Sequence, residues 1–414
     1  MEFIEKLLLF LFILALPIRL WGIEHGFYIY AIDVFSILLT VYYYFFRLTN
    51  NKFNSIQILL ILHSFWIIII SFLSVIIYKS ELSQVIKGVL QLLLYDVFLI
   101  FFVQKMQNHA YRNFISKLTI GTGIVIVPLS LINFYTNSFF GIDFIFDFVK
   151  LISIGNLELD DNYLKLTFWI RNSSFAGEPN FLGMYFVFLL QIILVTIRSF
   201  FLKQITAIVL LIAILSTFSR AAIICGLIVY LFWTLYYFRR TSLYGKITIW
   251  IVILSSFSYF YFGQLKTTDE IENAILSINS RSFSSDNQRL NIFNQSLNIF
   301  SGHPLGVGPS NYSVFANRLY GESGEPNPHN SYLTILVEEG LPGIILMMLL
   351  LMDLIIKLFK YTNIYYVIGF TVFLLAMLIN DFYKILGYKF FMFFSFFIFM
   401  NNIREINNSN SVKI

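Results

Sequence analysis

At Glu325–Gly343, EPNPHNSYLTILVEEGLPG, a polar, proline-stiffened loop runs straight into an apolar helix with a histidine at the junction. Pro326 and Pro328 fix two backbone angles and bias Glu325 and Asn327 toward extended geometry. His329 therefore sits on a stiff lead-in, and Asn330 or Ser331 is placed to cap the helix that follows. Histidine as a residue type exchanges a proton near neutral pH, which suits a general base at a water–lipid boundary. The alternative is that His329 only caps a helix at the headgroup layer. Three arginines bear on that choice. In STFSRAAII, Ser219 and Arg220 fall between two apolar runs, where an arginine is costly unless it faces a wet cavity, meets an anion or snorkels to headgroups. Arg171, in WIRNSSFAGEPN, and Arg289, ahead of GHPLGVGPSNY, fall on the same side as His329 in the topology below. Guanidinium groups bind phosphate through paired N–H donors and keep their charge. Three of them beside one histidine suit a diphosphate whose lipid tail stays in the bilayer.

Other polar residues divide less sharply. Asp353 and Lys357, one turn apart, predict an ion pair or an interfacial placement. Asp33 and Asp96 lie within apolar runs, where a carboxylate faces the bundle interior and could serve a proton or ion path. His63 reads as a hydrogen-bonding group between helices. Asp381 follows an apolar run on the His329 side, close enough to orient a base or touch substrate, and Glu178-Pro179 leads into another run. Gly306 and Gly308 could approach a phosphate, but no strand precedes them and no lysine–serine pair follows, so they read as a tight turn. Cys225 is the single cysteine and lies in an apolar run, which excludes a disulfide framework and a cysteine metal site. No metal and no cofactor is expected.

These groups need a membrane scaffold to hold them. Of 414 residues, 58% are hydrophobic, 19% aromatic and only 12% charged, with a mean hydropathy of +0.77; soluble domains carry about 25% charged residues. The net charge of +5 thus marks loop orientation and need not imply nucleic acid. Apolar runs at 7–21, 27–46, 56–78, 88–104, 118–134, 181–197, 204–218, 221–238, 246–263, 331–357, 364–380 and 386–402 predict an all-α polytopic protein with about 12 transmembrane helices. Pro17, Ile18 and Arg19 stand where a cleaved signal would need small residues, so the first run is read as a retained span. With both termini in the cytoplasm, Lys6, Arg47, Lys105, Arg112, Arg198, Lys203, Arg239, Lys246, Lys357 and Arg404 fall inside, as the positive-inside rule asks.

The expected order is helices 1–5 over 1–134, an outer loop over 135–180, helices 6–9 over 181–263, a large outer loop over 264–330, helices 10–12 over 331–402 and an inner tail over 403–414. That tail is expected to be disordered. In the large loop, Ser285-Asp286-Asn287-Gln288 fits a capping box, and Leu290, Phe293, Leu297 and Phe300 recur at helical spacing. They predict an amphipathic helix lying on the membrane with Arg289 in its first turns. Ser331–Leu358 would make about 42 Å of straight helix against a hydrocarbon core of about 30 Å. Gly340, Pro342 and Gly343 therefore predict a break, with a short interfacial helix before it.

Arg171 with Glu178-Pro179, the Ser219-Arg220 pair, an arginine ahead of HPLGVG and above all HNSYLTILVEEGLPG together resemble the O-antigen polymerase and O-antigen ligase superfamily over residues 170 to 345. Ser219-Arg220-Ala221-Ala222 departs from relatives that carry glycines after the arginine, and the outer loops are not strongly basic. The resemblance implies metal-independent glycosyl transfer at the periplasmic face of a bacterial inner membrane, with an undecaprenyl-diphosphate-linked oligosaccharide as donor. The outer loops become periplasmic. It further implies that His329 takes the proton of the acceptor hydroxyl, that Arg220 and Arg289 hold the diphosphate, and that Arg171, Glu178 and Asp381 support them. Chain-length regulator and flippase proteins are the implied protein partners. Polymerase and ligase differ only in the acceptor, a second lipid-linked repeat or a lipid A-core sugar. The outer loops, acidic in the first through Asp143, Asp147, Glu158, Asp160 and Asp161, incline the reading toward polymerase. A flippase or transporter of lipid-linked sugar would share the helix count but has no need of a stiffened histidine facing outer arginines.

Overall fold

The computed structural model describes residues 3–17, 22–24, 28–46, 53–140, 144–145, 178–197, 199–238, 289–321, 328–362, 364–382 and 384–411. Arg171, the apolar run at 246–263, the Ser285 capping box and most of both long loops lie outside these residues.

The helices are α1 (Phe3–Ala15), α2 (Ala31–Phe46), α3 (Ser55–Tyr78), α4 (Leu82–Lys105), α5 (His109–Phe140), α6 (Pro179–Thr196), α7 (Phe200–Ser216), α8 (Arg220–Phe238), α9 (289–302), α10 (Tyr312–Tyr320), α11 (Ser331–Glu338), α12 (Gly340–Tyr361), α13 (Ile364–Ile379) and α14 (Leu386–Ser411). Five of them, α3, α4, α5, α6 and α12, are long and apolar enough to cross a membrane, and shorter apolar helices lie within α2, α7, α8, α13 and α14. This is the architecture of a polytopic membrane protein.

Where each helix sits follows from its pattern. In α6 every residue from Phe181 to Leu194 is buried; a helix apolar on all sides belongs inside a bundle. It packs on α14 through ring stacks, Phe188 on Phe391 at 4.5 Å and Phe181 on Phe391 at 5.6 Å. Only a third of α3 or α12 is buried, and Phe65, Phe72, Met352 and Ile356 face outward, as lipid-facing helices do.

One expectation changes, and two details are added. The fold is all-α as expected, with one short antiparallel pair added between residues 22–24 and 28–30, Gly22 opposite Tyr30; the reversal between α1 and α2 satisfies its backbone groups that way. The tail expected to be disordered from 403 is helical through Ser411, since neither glycine nor proline interrupts the chain after Gly387. On α9 the side packed against the protein is Ile292, Ser296 and Ile299, whereas Leu290, Phe293 and Leu297 are exposed, leaving an outward apolar face for a membrane surface.

Connectivity gathers the chain reversals at two ends. At one end Lys357 Nζ reaches Asp353 Oδ2 at 2.6 Å and Ser55 Oγ at 2.6 Å, the ion pair expected from spacing, and Lys105 pairs with the buried Glu5 at 3.2 Å. The opposite end holds His329 and Arg220.

Candidate functional site

His329 adopts a left-handed backbone, φ 51°, and is exposed. Histidine, with Asn and Asp, is among the few non-glycine residues that tolerate this region. The next two residues pin the loop. Asn330 Oδ1 accepts from the backbone N–H of Tyr332 and Leu333 at 2.9 and 3.1 Å, capping α11, while its Nδ2 donates to Leu378 O at 2.9 Å. Ser331 Oγ donates to Asn380 O and accepts from Phe382 N, both at 2.9 Å. The start of α11 is thus bound to the turn after α13.

That turn is the hub of the site. Asn180 Nδ2, on the second residue of α6, donates to Asn380 Oδ1 at 3.2 Å, so this bond joins the segments that carry Glu178, at the N-cap position of α6, and Asp381. Lys384, three residues on, pairs with Glu338 at 2.7 Å. Burial pushes the Glu338 carboxyl up, against the Lys384 ammonium and the Ser310 N–H. Burial works against the charge of Lys384, yet the carboxylates of Glu338, Asp381 and Glu339 raise its pKa. Lys384 is a cation at this site that spacing did not reveal, because its partner lies 46 residues away.

Arg220 reaches this end by a different route. Ser219 is fully buried and caps α8, its Oγ accepting from Ala222 N at 3.4 Å. Arg220 is the first residue of α8 and is exposed. A Cβ on Gly183 of α6 would lie 2.5 Å from Ala222 Cβ and 3.5 Å from Ser219 Cβ, so α6 and α8 touch through small residues where a larger side chain after the arginine would not fit. A guanidinium at the positive end of a helix dipole favours an anion twice over. His329, Glu178, Asp381 and Arg220 therefore share one end of the bundle. Arg289 opens α9 on exposed surface, and no contact among the described residues joins it to the other four.

The glycine-rich stretch after α9 is a docking turn. Val307 N donates to Val337 O and Gly308 N to Glu338 O, both at 2.9 Å, and Leu341 N donates to Pro304 O at 2.9 Å. These N–H groups are spent on the chain itself, as the tight-turn reading requires. Glu338 in turn accepts from Ser310 N and Tyr312 N at 2.9 and 3.3 Å, capping α10. The helix break expected near Gly340 falls at Glu339–Gly340, where Gly340 has φ 71°; α11, of 8 residues, is the short helix before it. Glu338 and Glu339, quoted within the motif but given no role from sequence, fasten this joint.

No curated protein matches the chain. Residues 205–348, about a third of the chain, match the family model described as O-antigen ligase, a stretch that takes in Ser219-Arg220, Arg289 and His329. That match supports placing the chain in the O-antigen ligase and polymerase superfamily.

Proposed function

We propose that this protein is a surface-polysaccharide polymerase of the O-antigen type, which joins undecaprenyl-diphosphate-linked oligosaccharide repeats at the periplasmic face of a bacterial inner membrane. The observation that supports it most is His329 standing on a pinned loop at the same bundle end as Arg220, with the segments that carry Glu178 and Asp381 tied to that loop through Asn380. His329 takes the proton from an acceptor hydroxyl. The hydroxyl oxygen attacks the anomeric carbon of the donor sugar, and the bond from that carbon to the diphosphate oxygen breaks. Undecaprenyl diphosphate leaves with the electron pair, its charge met by Arg220 and Arg289. The outward apolar face of α9 keeps Arg289 at the bilayer surface, where a lipid-linked diphosphate must lie.

The family description names a ligase, so the acceptor is the point to test. Purified protein is mixed with lipid-linked single repeats and no added metal. A polymerase gives a ladder of lipid-linked chains, a ligase gives product only once lipid A-core is supplied, and a transporter gives none. Arg220→Lys and Arg289→Lys keep the charge and lose the paired donors, so each should lower turnover by about 10- to 100-fold with a modest change in donor affinity. Lysine variants that extend chains like the wild type, or a reaction abolished by chelator, overturn the mechanism.

Sidedness has its own measurement. Leu319 on α10 is 55% exposed, and Cys225 is fully buried. A single Leu319→Cys in a Cys225→Ala background should react with an impermeant thiol reagent from the periplasm. Reaction only after the membrane is permeabilised would place the site on the wrong face.

A further inference from the structure

Ionisable groups buried in the bundle converge on the helix break below His329. His63 of α3 stands between two carboxylates, Nδ1 at 2.5 Å from Asp96 Oδ2 and Nε2 at 2.9 Å from Glu339 Oε2. His63 is 4% exposed and both carboxylate residues 1%. Lys389 of α14 lies 3.7 Å from the other Asp96 oxygen, Ser64 Oγ donates to Asp96 Oδ2 at 3.3 Å, and Trp66 Nε1 donates to the Glu339 carbonyl at 2.7 Å. The Glu338–Lys384 pair and Asp381 are the next charges toward the outer end.

An ionised carboxylate only accepts hydrogen bonds, so both ring nitrogens can be satisfied only if the cluster holds one proton more than a neutral imidazole between two carboxylates. With that proton on His63, the imidazolium and Lys389 balance Asp96 and Glu339. Ionised groups persist in a bilayer interior when they are paired in this way.

The position of Glu339 gives this cluster a task beyond packing. Glu339 is the single residue between α11 and α12, and the left-handed Gly340 after it breaks helical continuity. The start of α11 is tied to the turn after α13, so its direction is completed by whatever holds its other end, Glu338 and Glu339. Eight residues of helix make a rod of about 12 Å, and the far end of this one carries Asn330 and His329. We propose that His63 is a positioning residue for glycosyl transfer: its two-sided bond to Asp96 and Glu339 anchors the end of α11 opposite His329 and, with the tether of Ser331 to Asn380, fixes the direction of α11 and so where His329 stands. The inference rests on His329 being the general base.

The test uses the full-length protein in nanodiscs and two readouts, amide hydrogen exchange over 331–338 and the steady-state constants for lipid-linked repeats. In His63→Ala, exchange over 331–338 should rise about tenfold or more while α6 keeps its protection. The kcat should fall about 10- to 100-fold with donor KM within about twofold. Glu339→Ala should behave alike. In Glu339→Gln the amide can donate to a neutral imidazole, which still donates to Asp96, so both hydrogen bonds survive and turnover should lie within about threefold of wild type. Unchanged exchange over 331–338 in His63→Ala overturns the inference. So do variants that fail to assemble, which would show a folding role alone. A wild-type protein that makes no chains defeats the functional reading instead, and the exchange comparison still decides this one.

Discussion

Replacing His329 is expected to stop chain extension while leaving the protein in the membrane at normal abundance. His329 is exposed and has a positive φ; the neighbours that pin the loop, Asn330 and Ser331, do so without its side chain. Little folding energy therefore depends on the imidazole. Alanine in the left-handed region costs about 1–2 kcal/mol of local strain, so His329→Asn is the sharper variant. Asparagine accepts that backbone conformation and retains hydrogen-bonding groups, yet it cannot take a proton. Both variants should lose about 10²- to 10⁴-fold in turnover, the usual contribution of a positioned acid or base. The measurement is ladder formation from lipid-linked repeats at equal amounts of purified protein. Substantial activity in His329→Asn would leave His329 as a loop residue and move the search for a base to Asp381 or Glu178.

The second large effect is expected at Gly340, and it acts through the fold. A Cβ there would stand 2.2 Å from Leu305 C, 2.3 Å from Leu305 O and 2.6 Å from Gly306 N. All three are backbone atoms of the turn that laces 304–308 onto 337–341, so no side chain can swing aside. Gly340→Ala adds the left-handed penalty to that clash, and the total should exceed about 4 kcal/mol. The expected result is loss of the docking of α9 and α10, a lowered thermal midpoint in detergent, and no chain extension. Gly302→Ala is the control, because nothing lies within 4 Å of its added Cβ; it should stay within about 0.5 kcal/mol of wild type. A Gly340→Ala protein as stable as that control would mean that the turn and the helix break do not hold each other.

These effects rest on features that differ in how far local chemistry reveals them. The cap at Asn330, the break near Gly340, the Asp353–Lys357 pair and the tight turn at Gly306–Gly308 are local: each depends on residues within a few positions of one another, so residue type and spacing are enough to predict them. The family likeness is local too, since one stretch of chain carries it. The gathering of His329, Glu178 and Asp381 around Asn380 depends on contacts spanning up to 200 residues, which no local pattern records. The same holds for Lys384 beside Glu338.

The amino-acid sequence by itself determined that the chain is a polytopic membrane protein, that a stiffened histidine opens a short helix, and that an arginine starts the helix after Ser219. Hydrophobic period, proline geometry and capping are properties of neighbouring residues. The tertiary structure decided which buried charges meet. His63, Asp96, Glu339 and Lys389 sit on four different segments and form a balanced cluster only when α3, α4, α12 and α14 pack. In a bilayer interior such groups must find partners wherever the bundle puts them, and that is settled by helix packing over the whole chain.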